Sequence, residues 1–419
     1  MRDIRGIMSL ALADGHMSAP DTGRSAAATL GVVGGGQLGR MLAEAAASLG
    51  VEVVVLDPTP RCPASTVARG QVVAEFDDPE GVRELAERTD ALTVEIELAG
   101  PDALRAAADA ADVPVHPDPR TLECIQDKLV QKRRLQEAGV PVPEFRRVDD
   151  EPDLQVALDE LGTPAMLKAR TGGYDGRGNV PVESSDGASE ALEAVGSPAM
   201  VEAHVDFDRE LSVMAVRTAS GVRTFDPAEN VHRAEILRES VVPARTSPAV
   251  RERADAVARE TLSALDGRGA FGIELFEIDG RILVNEVAPR PHNSGHWTIE
   301  GASVSQFEAH ARAVLGWPLP ADATERRART ATANLLGAVE AERPVAPLVG
   351  GDDAVASPAD AETTTVDLRP ALDSPAHLHW YGKQRLRPLR KMGHVTATAD
   401  AVDDPLATAR AVRDEMGFR

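Results

Sequence analysis

Lysine is scarce in this 419-residue chain, which contains only Lys128, Lys132, Lys168, Lys383 and Lys391. Arginine supplies the other 40 of the 45 basic residues, and 67 acidic residues bring the formal net charge to −22. An acidic, lysine-poor surface is typical of a protein adapted to a salty cytoplasm, because charge keeps it soluble and salt screens the self-repulsion. We therefore predict a halophilic, cytoplasmic protein whose few lysines are enriched at positions that need an ammonium group.

Other shortages exclude further classes of protein. Cys62 and Cys124 are too few and too far apart for a disulfide framework or a zinc site. No stretch approaches the roughly 20 apolar residues that a membrane span needs. The net charge argues against nucleic acid as a partner, because duplex binding depends on phosphate neutralisation by Lys and Arg. A 43% apolar content over this length instead predicts a globular protein of two or three domains.

A glycine-rich stretch follows the short apolar run Ala165–Lys168 and has four glycines within residues 172–178. Such a density fits a loop rather than the interior of a helix or strand. Glycine amides that approach a polyphosphate closely, beside a lysine ammonium, are how proteins hold nucleotide phosphates. The alternative is an ordinary glycine-rich hairpin turn.

The N-terminal part has the pattern strand, glycine-rich turn, helix and strand, with Gly34-Gly35-Gly36-Gln37-Leu38-Gly39 as the turn. This pattern matches the dinucleotide-binding fingerprint, but physically it indicates only a helix N-terminus that faces an anion. Strand and helix patterns then alternate as far as residue 116, which predicts a parallel sheet covered by helices. Glu95 and Glu97 are predicted to share one face at the carboxyl end of a strand, where such sheets bind ligands, or to form a solvated strand edge.

Residues 119–138 have the pattern of one long helix that carries Asp127, Lys128 and Lys132. The later runs 271–278 and 281–288 predict a hairpin that turns at Asp279-Gly280.

The register of this hairpin is informative. A two-residue loop would pair Glu274 with Asn285 and send Glu286 to the other face, whereas an odd-numbered loop centred on Gly280 puts Glu274 opposite Glu286. Opposed carboxylates repel each other unless a cation lies between them. The odd-numbered loop therefore implies a metal ion, Mg²⁺ with Mn²⁺ as an alternative, because the ligands are hard oxygens. Two solvated surface acids are the other interpretation.

Two further stretches combine residues with polar chemistry. Arg290, His292 and Asn293 lie in a proline-stiffened loop directly after the hairpin. Residues 377–394 contain Lys383, Arg390 and other basic residues but no acidic one, which indicates an anion pocket or a solvated basic face.

Taken together, six motifs resemble those of the 5-(carboxyamino)imidazole ribonucleotide synthases, a family of the ATP-grasp superfamily that acts in purine biosynthesis. They occur in the family's order between residues 30 and 395: Gly34–Met41, Thr93–Glu97, Gly172–Gly178, Asn285–Thr298, His379–Lys383 and Arg390–His394. Arg385 and Arg387 lie between Lys383 and Arg390, and the family does not always have arginines at these positions. The resemblance leaves open which arginines besides Arg390 contact phosphate.

The resemblance implies an α/β and α+β architecture in three parts. A Rossmann-like pre-ATP-grasp domain would span residues 29–118, an ATP-grasp domain 119–325 with a mobile lid at 144–205, and a small C-terminal domain 326–419. Residues 1–28 are predicted to be a disordered extension, with initiation at Met1 or Met17. The implied reaction joins ATP, bicarbonate and 5-aminoimidazole ribonucleotide through carboxyphosphate, in a cytoplasmic homodimer without membrane or nucleic-acid partners.

The resemblance also implies roles for individual residues. The implied ATP-binding residues are Lys128, Lys168, Gly173, Tyr174, Asp175, Gly176, Arg177, Gly178, Glu202, Ala203, His204, Val205, Glu210, His232, Asn285 and Glu286. Glu274 and Glu286 would bind Mg²⁺. The implied catalytic residues are Tyr174, Asp175, Arg290, His292 and Asn293, and the implied ribonucleotide-binding residues are Gln37, Leu38, Glu95, Glu97, Lys383 and Arg390.

Three other functions compete with this interpretation. An ATP-grasp ligase or formyltransferase with another acid partner is disfavoured by the His292-Asn293-Ser294 stretch and the C-terminal basic cluster. An NAD-dependent dehydrogenase built on the first turn leaves the middle of the chain unexplained. A catalytically inactive nucleotide-binding regulator is disfavoured by the full set of acids and lysines.

Overall fold

The structure is a computed structural model that describes residues 27–172, 178–196, 198–348 and 363–418. The predictions for Gly173, Tyr174, Asp175, Gly176 and Arg177, and for residues 1–26 of the predicted extension, lie outside the described residues. Within the described ranges, no helix is both long and apolar enough to cross a membrane.

The N-terminal part is a parallel four-stranded sheet flanked by helices, as the alternating pattern predicts. Its strands lie in the order β3-β2-β1-β4. The elements are β1 (Thr29–Val33), α1 (Gln37–Ala47), β2 (Glu52–Leu56), β3 (Gly70–Val72), α2 (Pro79–Glu87), β4 (Ala91–Val94) and α3 (Pro101–Ala111). Because β4 ends at Val94, the prediction that Glu95 and Glu97 share a strand face is wrong. Both residues lie in the turn that follows.

The predicted long helix at residues 119–138 is two helices, α4 (Pro119–Gln126) and α5 (Lys128–Glu137). The break is at Asp127, whose backbone is extended and whose carboxylate accepts hydrogen bonds from the amides of Leu129 and Val130. Arg170 also binds this carboxylate through Nε at 3.1 Å. An aspartate that bonds to the next two or three amides favours a helix start over a helix interior, which explains the break.

A second, smaller sheet occupies the predicted lid, with its strands in the order β5-β8-β6-β7. Its elements are β5 (Phe145–Val148), α6 (Glu151–Leu161), β6 (Ala165–Ala169), β7 (Asn179–Val182), α7 (Ala188–Val195) and β8 (Ala199–Ala203). Buried aliphatic side chains of both helices, including Leu154 and Ala191, pack on this sheet. The lid therefore has its own hydrophobic core, separate from that of the main sheet.

The main sheet has nine strands and crosses the predicted boundary at residue 325. Its order is β14-β13-β9-β11-β12-β15-β20-β18, with β10 paired to β9. The middle elements are β9 (Arg209–Thr218), β10 (Gly221–Thr224), β11 (Ala228–Arg233), β12 (Ile236–Val242), α8 (Pro248–Ser263), β13 (Gly269–Ile278), β14 (Arg281–Ala288), α9 (Thr298–Gly301) and α10 (Gln306–Val314). The C-terminal elements are β15 (Thr330–Leu336), β16 (Arg343–Leu348), β17 (Thr364–Asp367), α11 (Arg369–Leu372), β18 (His377–Trp380), β19 (Arg385–Leu386), β20 (Lys391–Thr398) and α12 (Pro405–Glu415).

The hairpin of β13 and β14 corrects the prediction about its loop. Ile278 pairs with Arg281, so the loop is the two-residue turn Asp279-Gly280 and not an odd-numbered one. Both turn residues have positive φ, +48° and +75°, which is the geometry of a tight hairpin turn. Glu274 nevertheless pairs with Glu286, because the register shifts between Leu275–Val284 and Glu274–Glu286 and leaves Asn285 as an extra residue. A β-bulge, and not the loop, brings the two carboxylates together.

His310 joins the N-terminal sheet to the main sheet. Its Nδ1 accepts a hydrogen bond from the Ala270 amide at 2.9 Å, so the proton of the neutral ring is on Nε2, which contacts Thr93 Oγ1 at 2.9 Å. The side chain is fully buried. Burial lowers the pKa of His310 to about 3. The ring is therefore neutral at pH 7, and protonation would break the bond to Ala270.

We predict that His310 makes stability depend on pH. Below pH 6.5 the unfolded chain binds a proton at this residue, whereas the folded chain does not until about pH 3, so the free energy of unfolding falls on acidification. Between pH 7 and pH 5 this loss is about 2 kcal/mol. Urea unfolding at both pH values should show that His310→Gln loses about 2 kcal/mol less than the wild type over this interval.

Thr93→Val is the matched control, because it removes the contact to Nε2 but keeps the histidine. This variant should be less stable at both pH values and retain the wild-type loss between them. An unchanged loss in His310→Gln would contradict the prediction.

Candidate active site

The lid strands and helix α5 bring the predicted nucleotide lysines to one cleft. Lys128, the first residue of α5, lies 3.0 Å from Glu286 Oε1. Lys168 on β6 lies 2.5 Å from Glu202 Oε2 and 3.4 Å from Asn285 Oδ1. These contacts place two ammonium groups, one from the main body and one from the lid, next to the predicted metal-binding strand.

Glu202 is a buried carboxylate held between two lysines. Besides Lys168, its Oε1 lies 2.8 Å from Nζ of Lys132, a residue with no assigned role in the sequence interpretation. Burial raises the pKa of Glu202, but the attraction of Lys132 and Lys168 outweighs this effect and holds the pKa at about 2. Burial lowers the pKa of Lys132 to about 8, and Glu202 opposes that shift. The Glu202 side chain thus faces the two lysines from a strand that is paired on both sides.

The other predicted nucleotide residues lie on or beside the lid sheet and the main sheet. Gly178 is the described end of the glycine-rich loop, and its carbonyl accepts a hydrogen bond from the amide of Ala169. Ala203 ends β8, and His204 and Val205 follow as an exposed and a partly buried residue. Glu210 and His232 form a pair in which Nδ1 lies 2.8 Å from Oε2. Burial lowers the pKa of His232, but the bond to Glu210 outweighs this effect, so the pKa is raised above its ordinary value.

Glu274 and Glu286 fit a Mg²⁺ ion that is shared with nucleotide phosphates. They face each other on adjacent strands, and the side chains are 25% and 49% exposed. Burial in the cleft raises the pKa of Glu274, and so does Glu286. Among the described residues, no group of three His, Cys, Asp or Glu side chains could hold a metal. Two carboxylates are the protein ligands that Mg²⁺ uses when phosphates and water complete its shell.

The loop after β14 places two of its predicted catalytic residues at this cleft. Arg290 binds Glu97 of the N-terminal part, with Nη2 2.8 Å from Oε1. His292 Nε2 lies 3.4 Å from Glu274 Oε1. The loop passes very close to β13, because a Cβ on Gly272 would lie 2.5 Å from the Cβ of His292. Glycine is therefore required at residue 272.

Asn293 has a different position from the predicted one. It is 6% exposed, and its amide exchanges two hydrogen bonds with Asn334 on β15, at 3.2 and 2.5 Å. Both ends of the amide are paired inside the protein, and Asn293 fixes the loop to the main sheet. A role of its side chain in binding bicarbonate stays a prediction.

The first glycine-rich turn holds a carboxylate of the chain itself. Glu95 accepts hydrogen bonds from the amides of Gly36 and Gly39, the latter at 2.5 Å. A Cβ on Gly34, where φ is +108°, or on Gly36 would overlap the Glu95 side chain. These glycines therefore make room for Glu95. Burial raises the pKa of Glu95 to about 7.

The predicted phosphate residues partly come together near this turn. Lys383 Nζ donates to Gln37 Oε1 and, at 2.8 Å, to the carbonyl of Lys391. Leu38 is 8% exposed, and its side chain packs in the hydrophobic core. Arg390 Nη1 donates to the carbonyl of Arg385 at 2.8 Å. The structure thus joins Lys383 to Gln37 across the domains, and Arg390 lies in the neighbouring turn.

Sequence reasoning missed the residues that support the site from behind. The Gln306 side chain binds the backbone of His292 at both ends. It accepts a hydrogen bond from the His292 amide at 2.9 Å and donates one to the His292 carbonyl at 2.8 Å. Three histidine rings stack in series, with centroids 4.7 Å apart for His296 and His394 and 4.5 Å for His394 and His379. The buried His296 and His394 have a pKa well below 6.5 because of desolvation, so they stack as neutral rings. The sequence signal for this stack is weak: His296, His379 and His394 each lie in a different one of the six motifs.

Comparisons with known proteins agree with this geometry. Family models match for the ribonucleotide synthetase preATP-grasp domain at residues 27–126, the ATP-grasp domain at 133–307 and the phosphoribosylaminoimidazole carboxylase C-terminal domain at 330–408. The N5-carboxyaminoimidazole ribonucleotide synthase of Brucella melitensis biotype 1 is 43% identical over 375 residues, which cover 88% of this chain and 95% of that protein.

Solved structures show the same likeness. The carboxyaminoimidazole ribonucleotide synthase of Aspergillus clavatus complexed with ATP has a TM-score of 0.81 at 36% identity and covers 93% of this chain and 99% of its own. The Aspergillus clavatus enzyme in complex with ADP and 5-aminoimidazole ribonucleotide has a TM-score of 0.80, the same identity and the same coverage. The chain belongs to the N5-carboxyaminoimidazole ribonucleotide synthase family, with the three-part ATP-grasp fold that the sequence predicts.

Proposed function

We propose that the chain catalyses the ATP-dependent carboxylation of 5-aminoimidazole ribonucleotide with bicarbonate. The products are 5-(carboxyamino)imidazole ribonucleotide, ADP and phosphate, in de novo purine biosynthesis. The observation that carries the proposal is the path of the chain after β14. The strand that bears Glu286 leads directly into the loop of Arg290 and His292, and this loop contacts Glu97 of the N-terminal part. The nucleotide end and the N-terminal end of the cleft thus meet at one loop.

The first step is phosphoryl transfer from ATP to bicarbonate. A bicarbonate oxygen attacks the γ-phosphorus, the bond to the ADP oxygen breaks, and carboxyphosphate forms. Lys128 and Lys168 would hold the phosphates, and Glu274 and Glu286 would hold Mg²⁺, whose positive charge would be supplied beside the phosphates. Arg290 and the imidazole of His292 are fixed donors beside the carboxylates and can bind bicarbonate.

The second step forms the carbon–nitrogen bond. The exocyclic amine of the ribonucleotide attacks the carboxyl carbon, the bond to the phosphate oxygen breaks, and the amine proton leaves with phosphate as the acceptor. Lys383, Gln37 and Arg390 hold the 5′-phosphate of the ribonucleotide. Tyr174 and Asp175, outside the described residues, remain predictions for the lid that excludes water from carboxyphosphate.

The dehydrogenase alternative is disfavoured by the first turn. A dinucleotide pyrophosphate binds the amides of such a turn, whereas two of these amides already bind Glu95. Homodimer formation and a saline cytoplasmic location remain predictions from the sequence.

Phosphate release tests the proposed function directly. Purified protein with MgATP should release phosphate slowly, and addition of both bicarbonate and 5-aminoimidazole ribonucleotide should raise the rate at least tenfold. Glycinamide ribonucleotide is a control substrate with an aliphatic amine, and it should not stimulate release. Absence of stimulation by the aminoimidazole ribonucleotide would defeat the assignment.

Glu286→Gln should lower kcat at least 100-fold, because the amide cannot supply the charge that the metal and the transferred phosphoryl group need. Steady-state kinetics with saturating Mg²⁺ provide the measurement. Glu277→Gln is the matched control on the same hairpin, because that carboxylate binds Thr246 and Arg209 instead of facing the cleft. A Glu286→Gln enzyme with kcat like that of Glu277→Gln would exclude the metal role.

Lys383→Ala should raise the KM for the ribonucleotide about tenfold or more, since a charged hydrogen bond to phosphate contributes about 1.5–3 kcal/mol. The KM for ATP is the internal control and should change less than twofold, because Lys383 contacts Gln37 and not the nucleotide lysines. Equal increases in both constants would count against the phosphate role.

A further inference from the structure

Lys132 is a buried ammonium group that joins two parts of the molecule. It lies on α5 and is 2% exposed. Its Nζ is 2.8 Å from Glu202 on the lid strand β8 and donates to the carbonyl of Val284 on β14 at 3.1 Å. Removing such a charge from water is unfavourable by several kcal/mol unless its partners compensate. The partners therefore indicate what the residue does.

Both partners of Lys132 lead to groups that face the nucleotide cleft. The other oxygen of Glu202 binds Lys168 at 2.5 Å. Val284 directly precedes the bulge residue Asn285, which also reaches Lys168, and Glu286 is next in sequence. One side chain thus contacts the support of the lid lysine and the strand of the metal carboxylate.

The contact to Val284 closes the edge of the main sheet where the ladder is interrupted. β14 is an edge strand. The amide of Val284 donates to the carbonyl of Pro141 at 2.8 Å, and its carbonyl accepts from Lys132. An edge strand beside a bulge has few bonds to hold its course. Lys132 and Pro141 hold β14 at Val284, the residue directly before Asn285 and Glu286.

The contact to Glu202 affects the charge that Lys168 can offer to a phosphate. The group of Lys132, Lys168 and Glu202 has a net charge of +1, because one carboxylate is shared by two ammonium groups. Without Lys132, Glu202 would neutralise Lys168 alone and hold it more tightly. The cleft would then lose both the net positive charge and the freedom of Lys168 to reach a phosphate oxygen.

We propose that Lys132 is a positioning residue for ATP, which acts through Glu202 on Lys168 and through the Val284 carbonyl on the strand of Glu286. The proposal rests on the proposed function only in taking ATP as the nucleotide. It assigns to Lys132 a role in nucleotide affinity without contact between Lys132 and the nucleotide.

The test is Lys132→Met, which keeps a long side chain and removes the charge. Titration calorimetry with MgATP should show at least a tenfold loss of affinity, and steady-state kinetics should show the same rise in the KM for ATP. The KM for the ribonucleotide should change less than twofold. A general loss of structure would change both constants together.

Gln131→Met is the matched control. Gln131 is the preceding residue of α5, is also 2% exposed, and donates to the carbonyl of Val287 on the same strand at 3.4 Å. The affinity for ATP should match the wild type in this variant, and thermal unfolding midpoints of both variants report any loss of stability. A folded Lys132→Met protein with wild-type affinity for ATP would overturn the proposal.

Glu202→Gln tests the same link from the other side. Once this carboxylate is gone, Lys132 can no longer act through it on Lys168, so adding Lys132→Met to Glu202→Gln should change the affinity for ATP less than threefold. A further tenfold loss in the double variant relative to Glu202→Gln would overturn the proposal, and this comparison also decides the question if Lys132→Met alone does not fold. Calorimetry needs no second substrate, so a wild-type protein that binds ATP but is not stimulated by the ribonucleotide would defeat only the proposed function.

Discussion

The β-bulge at Asn285 is the constraint on which the geometry of the cleft depends. With a two-residue turn and no bulge, Glu274 would face Asn285, and Glu286 would point to the other side of the sheet. The extra residue reverses this, so that Glu274 and Glu286 are opposed and Asn285 reaches Lys168. It also sets the direction in which the chain leaves β14 towards Arg290. The proposed metal site and the proposed bicarbonate site therefore depend on one backbone irregularity.

The charges of the cleft explain why lysine persists in so acidic a chain. Lys128 pairs with Glu286, and Lys132 and Lys168 share Glu202. Lys383 binds Gln37 in the second part of the site. Each of these four ammonium groups thus has a partner within the protein. Phosphate should bind most strongly to an ammonium whose partner is neutral or shared, because its charge is then not fully neutralised. That the few lysines are enriched at functional positions stays a prediction from the sequence.

The sequence predicted elements in which apolar residues recur at regular spacing. It did not predict contacts between side chains and groups that are far apart in the chain. The parallel sheet and the pairing of Glu274 with Glu286 were predicted, although the latter came from the wrong loop length because a bulge has no pattern of its own. Asp127 carries the signal of a helix start, which the apolar pattern on both sides obscured. The bond between Glu95 and the amide of Gly36 spans 59 residues, and no local pattern indicates it.

The C-terminal part contacts both the first glycine-rich turn and the loop of Arg290 and His292. His379 lies near the end of β18, and Tyr381 and Lys383 follow in the segment between β18 and β19. His379 Nε2 lies 2.6 Å from Glu300 and Tyr381 bonds to Nδ1 of His394, whereas Lys383 reaches Gln37. The stretch that indicated an anion pocket therefore places Lys383 at Gln37, and the bonds of His379 and Tyr381 fix the segment that carries this lysine. Because β18 belongs to the sheet that also contains Asn334, the partner of Asn293, a shift of the C-terminal part would move Lys383 and the loop of Arg290 and His292 together.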